Sequence, residues 1–307
     1  MGKFLNLSLI FLICTNASFA AEEDKLTPTE RIPRQKAINQ SKVSKLENST
    51  AESCLKSYST LVEDSELSFH LAFGYKDARP FRFVADRYEK MYFAGRLTKP
   101  CDEGITACGF ERSKSDPDVF TKSVKDTFGK PVLVKVMLTT SSVGPDDEEN
   151  RINPYQRWLS QKVENAFKDS IKKMDVVLYS GHSRAGGGPD FRPPVLYKNN
   201  HVAYGPYKKK QPGLKLILNS LEASKTSGAK IIGLFSCASN QLFVNAVQTA
   251  KPGVGVISSS ALIYHADALE NMYMTLDSIM SAKCYNEFSE KIKSNDSRSG
   301  AKIVGFF

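Results

Sequence analysis

Beyond its first twenty residues the chain has no apolar run long enough to cross a bilayer, no internal repeat and no recognised nucleic-acid motif. The first absence excludes a spanning helix, which needs about 20 apolar residues. The second excludes solenoid and propeller arrays. The third leaves the formal charge of +9 without a nucleic-acid partner. Much of that excess lies in the N-terminal segment and in Lys208-Lys-Lys210, and it reads as solvated surface. Metal-ligand spacing is missing too. The one acidic cluster, Asp146-Asp-Glu-Glu149, does not match a calcium loop, so neither metal nor cofactor is expected.

The beginning of the chain is informative. Lys3 precedes an apolar run from Phe4 to Cys14, and small residues close it at Ser18-Phe19-Ala20-Ala21. These are the parts of a secretory signal with cleavage after Ala20. Cys14 does not make it a lipoprotein signal, because Leu12 and Ile13 are bulky where small residues are needed. The mature protein is therefore expected to be periplasmic or secreted. Four regions follow: residues 1–20 as signal peptide, 21–60 as a polar basic leader, 61–128 as a small irregular N-terminal subdomain, and 129–307 as an α/β domain. The subdomain reading rests on interleaved Phe, Tyr and Arg from Ala78 to Tyr88 and on punctuation by Gly95, Pro100, Gly104 and Gly109.

In the α/β domain, Pro131 to Thr140, Asp175 to His182, Lys230 to Cys237 and Val254 to Ser259 read as strands. Helical spacing lies between them. Asn153 to Lys173 opens on Asn153-Pro154, and Trp158, Leu159, Val163, Ala166, Phe167 and Ile171 form its apolar stripe. Leu214 to Lys225 and Gln241 to Ala250 are further helices, Ala266 to Ile292 is mainly helix, and Ile303 to Phe307 is a last edge strand. The expected fold is α/β, a three-layer sandwich on a mainly parallel sheet.

Two of these strands stop at residue types used in nucleophilic catalysis. Asp175-Val-Val-Leu-Tyr-Ser-Gly-His182 and Lys230-Ile-Ile-Gly-Leu-Phe-Ser-Cys237 are separated by one crossover helix. A right-handed crossover makes them parallel, and if they are neighbours both C-terminal ends face one edge, where open α/β sheets bind ligands. His182 and Cys237 then form a base and nucleophile pair. The glycines from Gly186 to Gly188 force a loop whose amides can approach a substrate. Loss of Cys14 with the signal leaves five cysteines. Cys101 with Cys108, and Cys54 with Cys284, are the candidate disulfides, with Cys237 left over as a thiol. A small buried hydrophobe is the plainer fate for Cys237.

The two blocks resemble those of the caspase-like cysteine peptidases, the gingipain, clostripain, legumain and separase type. There, one hydrophobic strand ends in His-Gly and the next in a small residue followed by Cys. Gly181-His182 and Ser236-Cys237 carry the likeness, which covers a minority of the chain. The resemblance implies a peptide or protein substrate, His182 as general base and Cys237 as nucleophile. It also implies an oxyanion held by the amides of Cys237 and of the residue after His182. Ser183 departs from the family, which has glycine there. An acidic loop beside the nucleophile, with Asp146 and Asp147, favours a basic side chain before the scissile bond; its plainer role is to stabilise the following helix start.

Two other readings stay open. Gly181-His-Ser183-Arg-Ala185 approximates the nucleophile elbow of α/β-hydrolases, with Ser183 as nucleophile and His265 as base. A secreted binding protein with an inert peptidase-like core is the third. Oligomeric state is not legible.

Overall fold

The apolar runs of this chain form one sheet, clad by helices on both faces. The structure, a computed structural model, describes residues 51–76, 85–295 and 300–306. The segments expected to be signal peptide (1–20) and, for the most part, leader (21–60) lie outside these. The strands are β1 (Glu66–Phe73), β2 (Glu111–Arg112), β3 (Val119–Lys125), β4 (Pro131–Thr140), β5 (Val176–Ser180), β6 (Ile231–Phe235), β7 (Gly255–Ser259) and β8 (Ala301–Val304), in the order β2-β3-β4-β1-β5-β6-β7-β8. From β4 to β7 the pairs are parallel. The outer strands β2, β3 and β8 are antiparallel. Strands β5, β6 and β7 are buried at every position, as parallel strands covered on both faces must be.

The principal helices are α1 (Ala51–Leu61), α2 (Asp86–Thr98), α3 (Asp147–Ile152), α4 (Gln156–Lys173), α5 (Tyr204–Lys210), α6 (Pro212–Glu222), α7 (Ser239–Ala250), α8 (His265–Met280) and α9 (Tyr285–Asn295). Alternation along the strands sends side chains to opposite faces and so makes two cores. Leu71, Val136, Leu178 and Ile257 pack with α1, α2, α8 and α9. Val177, Tyr179, Ile232 and Val256 pack with α4, α6 and α7. This is the expected three-layer α/β arrangement.

Several expectations need correction. Residues 61–128 are not a separate irregular subdomain: β1 sits at the centre of the sheet between β4 and β5, and β2 and β3 extend its edge. Ser68 and His70 interrupt the apolar pattern of β1, yet both are buried, because Asp175 accepts from the Ser68 hydroxyl at 2.7 Å and His70 Nε2 meets Thr139 Oγ1 at 2.7 Å. The end of the leader is helical, with Cys54, Tyr58 and Leu61 of α1 buried. Helix α4 starts at Gln156 rather than after Asn153, whose side chain accepts from the Tyr155 amide at 2.9 Å. Trp158 was placed in its apolar stripe but is 61% exposed. The C-terminal edge strand is present as β8, paired with β7.

Both proposed disulfides are present: Cys54–Cys284, with Cα atoms 5.8 Å apart, and Cys101–Cys108, at 5.1 Å. The first ties α1 to the segment between α8 and α9. No described helix is long and apolar enough to cross a membrane.

Candidate active site

Strands β5 and β6 are parallel neighbours, registered so that Ser180 pairs with Phe235. The ladder runs one step further, the Gly181 amide donating to the Phe235 carbonyl at 3.3 Å. His182 and Cys237 each follow two residues after that last pair. They leave the sheet level with each other on adjacent strands, about 4.8 Å being the ordinary strand spacing. The topological part of the sequence argument is thus met: both residues stand on one rim, at the C-terminal ends of the parallel strands.

The strand ending in Cys237 turns sharply. Ala238 has φ 53°, a left-handed conformation, and α7 begins at Ser239. The turn is fixed by the Ala238 amide on the Ala261 carbonyl at 2.8 Å and by the Ser239 hydroxyl, which donates to the Leu234 carbonyl at 2.6 Å. Cys237 therefore lies at a helix N-terminus, where partial positive charge favours a thiolate. It is 4% exposed, with Sγ 3.9 Å from the Ile263 carbonyl oxygen. The expectation of a lone thiol does not hold for this structure: Cys237 is disulfide-bonded, and none of the described cysteines is free. That expectation concerned a chain without Cys14, whereas the full chain has an even six cysteines.

The loop after β5 is held from beneath by Tyr179. Its buried phenol donates to the His182 carbonyl at 3.1 Å and accepts from the Asp190 amide at 3.0 Å. Glycine is required at Gly181, where a Cβ would come within 2.2 Å of that phenol oxygen. Beyond Ser183 the chain makes a single 3-10 turn, Arg184–Gly186, closed by a buried Arg184–Asp190 ion pair at 2.7 Å. The Gly186 amide is spent on the Ser183 carbonyl at 3.1 Å, so it does not face a substrate. The Ser183 amide has no acceptor among the described residues. Its backbone, at φ −77°, is one that any residue adopts, so serine in place of glycine costs no strain.

Ser236 is fully buried, and its hydroxyl has no hydrogen-bond partner among the described residues. Asp146 caps α3, accepting from the Glu148 and Glu149 amides at 2.8 and 3.3 Å. Asp147 is buried and accepts from Tyr75 and Arg151, each at 2.6 Å. Both acids of the predicted substrate loop therefore serve the fold. His265 opens α8, and its pKa is lowered to about 4 by burial and by the Lys76 cation.

Sequence reasoning missed the polar group beside β5. Lys76, three residues past β1, donates to Glu89 at 2.5 Å and to the Ser180 hydroxyl at 3.1 Å. Burial, with Asp86 adding to it, pushes Glu89 up to about 7 against the pull of Lys76. Glu89 Oε1 has no hydrogen-bond partner among the described residues. The one signal was Gly74-Tyr75-Lys76 at the end of an apolar run, a strand end like the two that were recognised.

Fold and site together define an α/β protein with a histidine and a cysteine on one sheet edge. No family model matches the chain, and no curated protein shows significant similarity to it.

Proposed function

We propose that the chain is an exported cysteine-dependent hydrolase, an endopeptidase of caspase-like type with Cys237 as nucleophile and His182 as general base. One observation carries the reading: the β5–β6 register brings Gly181-His182 and Ser236-Cys237 to the same rim. The thiolate attacks the scissile carbonyl and forms a C–S bond, while the amides of Cys237 and Ser183 hold the oxyanion. The imidazolium of His182 then protonates the leaving amine as the C–N bond breaks, and water hydrolyses the thioester. The two disulfides support an oxidising, extracytoplasmic compartment.

The reading requires the bond at Cys237 to be opened. In the full chain the sixth cysteine is Cys14, within the segment that cleavage after Ala20 removes. The test is therefore made on protein beginning at Ala21, treated with mild thiol. Peptide-library cleavage that disappears in both Cys237→Ala and His182→Ala, with iodoacetamide labelling Cys237, supports the proposal. Cleavage that survives Cys237→Ala removes it.

A second reading, a secreted binding protein with an inert core, is favoured by the burial and bonded state of Cys237. It predicts neither cleavage nor alkylation at Cys237 in the same processed protein. The serine-hydrolase alternative loses ground, because the helix that an elbow needs after Ser183 is replaced by a 3-10 turn.

A further inference from the structure

A cavity of about 510 Å³ opens between α2, the start of α4 and the β3–β4 side of the sheet. Its walls include Met91, Tyr155 and Trp158, which are 64%, 69% and 61% exposed. Large apolar side chains gathered at one opening are uncommon on a surface that binds nothing. Three cations line it, Arg87, Lys90 and Arg112, against one acid, Asp118. Asp118 neutralises Lys90 at 2.6 Å. Arg87 instead donates to the Val143 carbonyl, and Arg112 lies over the Phe120 ring at 5.0 Å. Two guanidiniums thus stand at an apolar mouth without a carboxylate partner among the described residues.

We propose that this cavity is a docking site for an acidic peptide segment with an aliphatic or aromatic anchor. The apolar floor of Ala94, Phe120 and Leu159 offers few hydrogen-bonding groups for a sugar, whereas a hydrophobic side chain fills it. Flanking carboxylates complement Arg87 and Arg112. The site touches Thr140 at the C-terminal end of β4, the same end of the sheet as His182 and Cys237. From β4 to β6 is three strand spacings, about 14 Å, which an extended segment of about four residues spans. Only that last connection rests on the peptidase reading; the binding itself does not.

Trp158 is the only tryptophan of the chain, so its emission reports the site directly. Binding is measured on the Cys237→Ala variant, where no cleavage intervenes and a failed peptidase reading leaves the result intact. The expected result is a saturable change in emission with acetyl-Glu-Asp-Leu-Asp-Glu amide that weakens at least tenfold between 50 and 500 mM salt, as attraction between exposed charges must. Arg112→Glu should weaken it about tenfold. As a second measurement, a fluorescein-labelled version of the peptide should lose most of its anisotropy change with Trp158→Ala. Equal binding of a lysine-substituted peptide, unchanged affinity in Arg112→Glu, no emission change, or preference for a sulfated hexasaccharide would each overturn the proposal.

Discussion

Replacing Glu89 by Gln should change how the stability of the protein depends on pH, by an amount that the structure sets. Glu89 is buried beside Lys76 at the sheet rim, and its carboxyl is raised from 4.5 to about 7, chiefly by burial. The folded state therefore holds this proton more tightly than the unfolded chain. Its contribution is fully present below pH 4.5 and is lost as pH rises through 7. The difference between the two values corresponds to about 3 kcal/mol. Gln cannot ionise, yet its carbonyl keeps an acceptor for Lys76. The stability of Glu89→Gln minus that of wild type should accordingly climb by about 3 kcal/mol between pH 4.5 and 7.5, whatever the offset at the acid end. Other titrating groups, His265 included, are common to both proteins and largely cancel. Urea unfolding followed by circular dichroism at half-unit pH intervals measures this, with matched m-values as the check on comparability. A difference that stays flat within about 1 kcal/mol, or that falls, would refute the account of Glu89.

Three further outcomes follow from the packing. His70 is fully buried, with its pKa lowered to about 3 by desolvation; its stabilising share is present above pH 6.5 and lost as pH falls toward 3. His70→Phe should therefore move the acid-unfolding midpoint to lower pH. Replacing Cys54 and Cys284 together by Ala opens a link across 230 residues, and loop entropy sets a loss of about 5 kcal/mol, read from the denaturant midpoint. A stability unchanged within 1 kcal/mol would show that this bridge constrains nothing. Gly188→Ala would put a Cβ 2.1 Å from the Leu214 amide nitrogen at a backbone φ of +91°. It should cost at least 2 kcal/mol and loosen the loop after His182, read by amide exchange; a neutral substitution would show that the loop relocates freely.

The Cys54–Cys284 link and the place of the edge strand β8 were candidates that only the fold could fix; the sequence by itself determined the strands β4 to β7, the short Cys101–Cys108 loop and the pair of strand ends carrying His182 and Cys237. These were legible because each rests on local pattern. Apolar runs closed by Ser and Gly mark buried strands, and one crossover helix between two of them dictates a parallel, right-handed unit. Tertiary structure alone decided the rest. Strand β1 was read into an irregular subdomain on the pattern of the residues after it, and its own polar residues Ser68 and His70 find hydrogen-bond partners only in the distant Asp175 and Thr139. For Asp146 the plainer reading, a helix start, is the one the fold adopts, whereas the buried bond of Asp147 to Tyr75, 72 residues away, had no sign in the sequence. Trp158 occupied a helical core position that the sheet does not cover, so it stands instead at the mouth of a cavity. Lys76, Glu89 and Ser180 lie up to 104 residues apart and meet only when β1 pairs with β5. Local pattern encodes which residues end a strand; which ends become neighbours, and which charges they bury, is set by the whole chain folding at once.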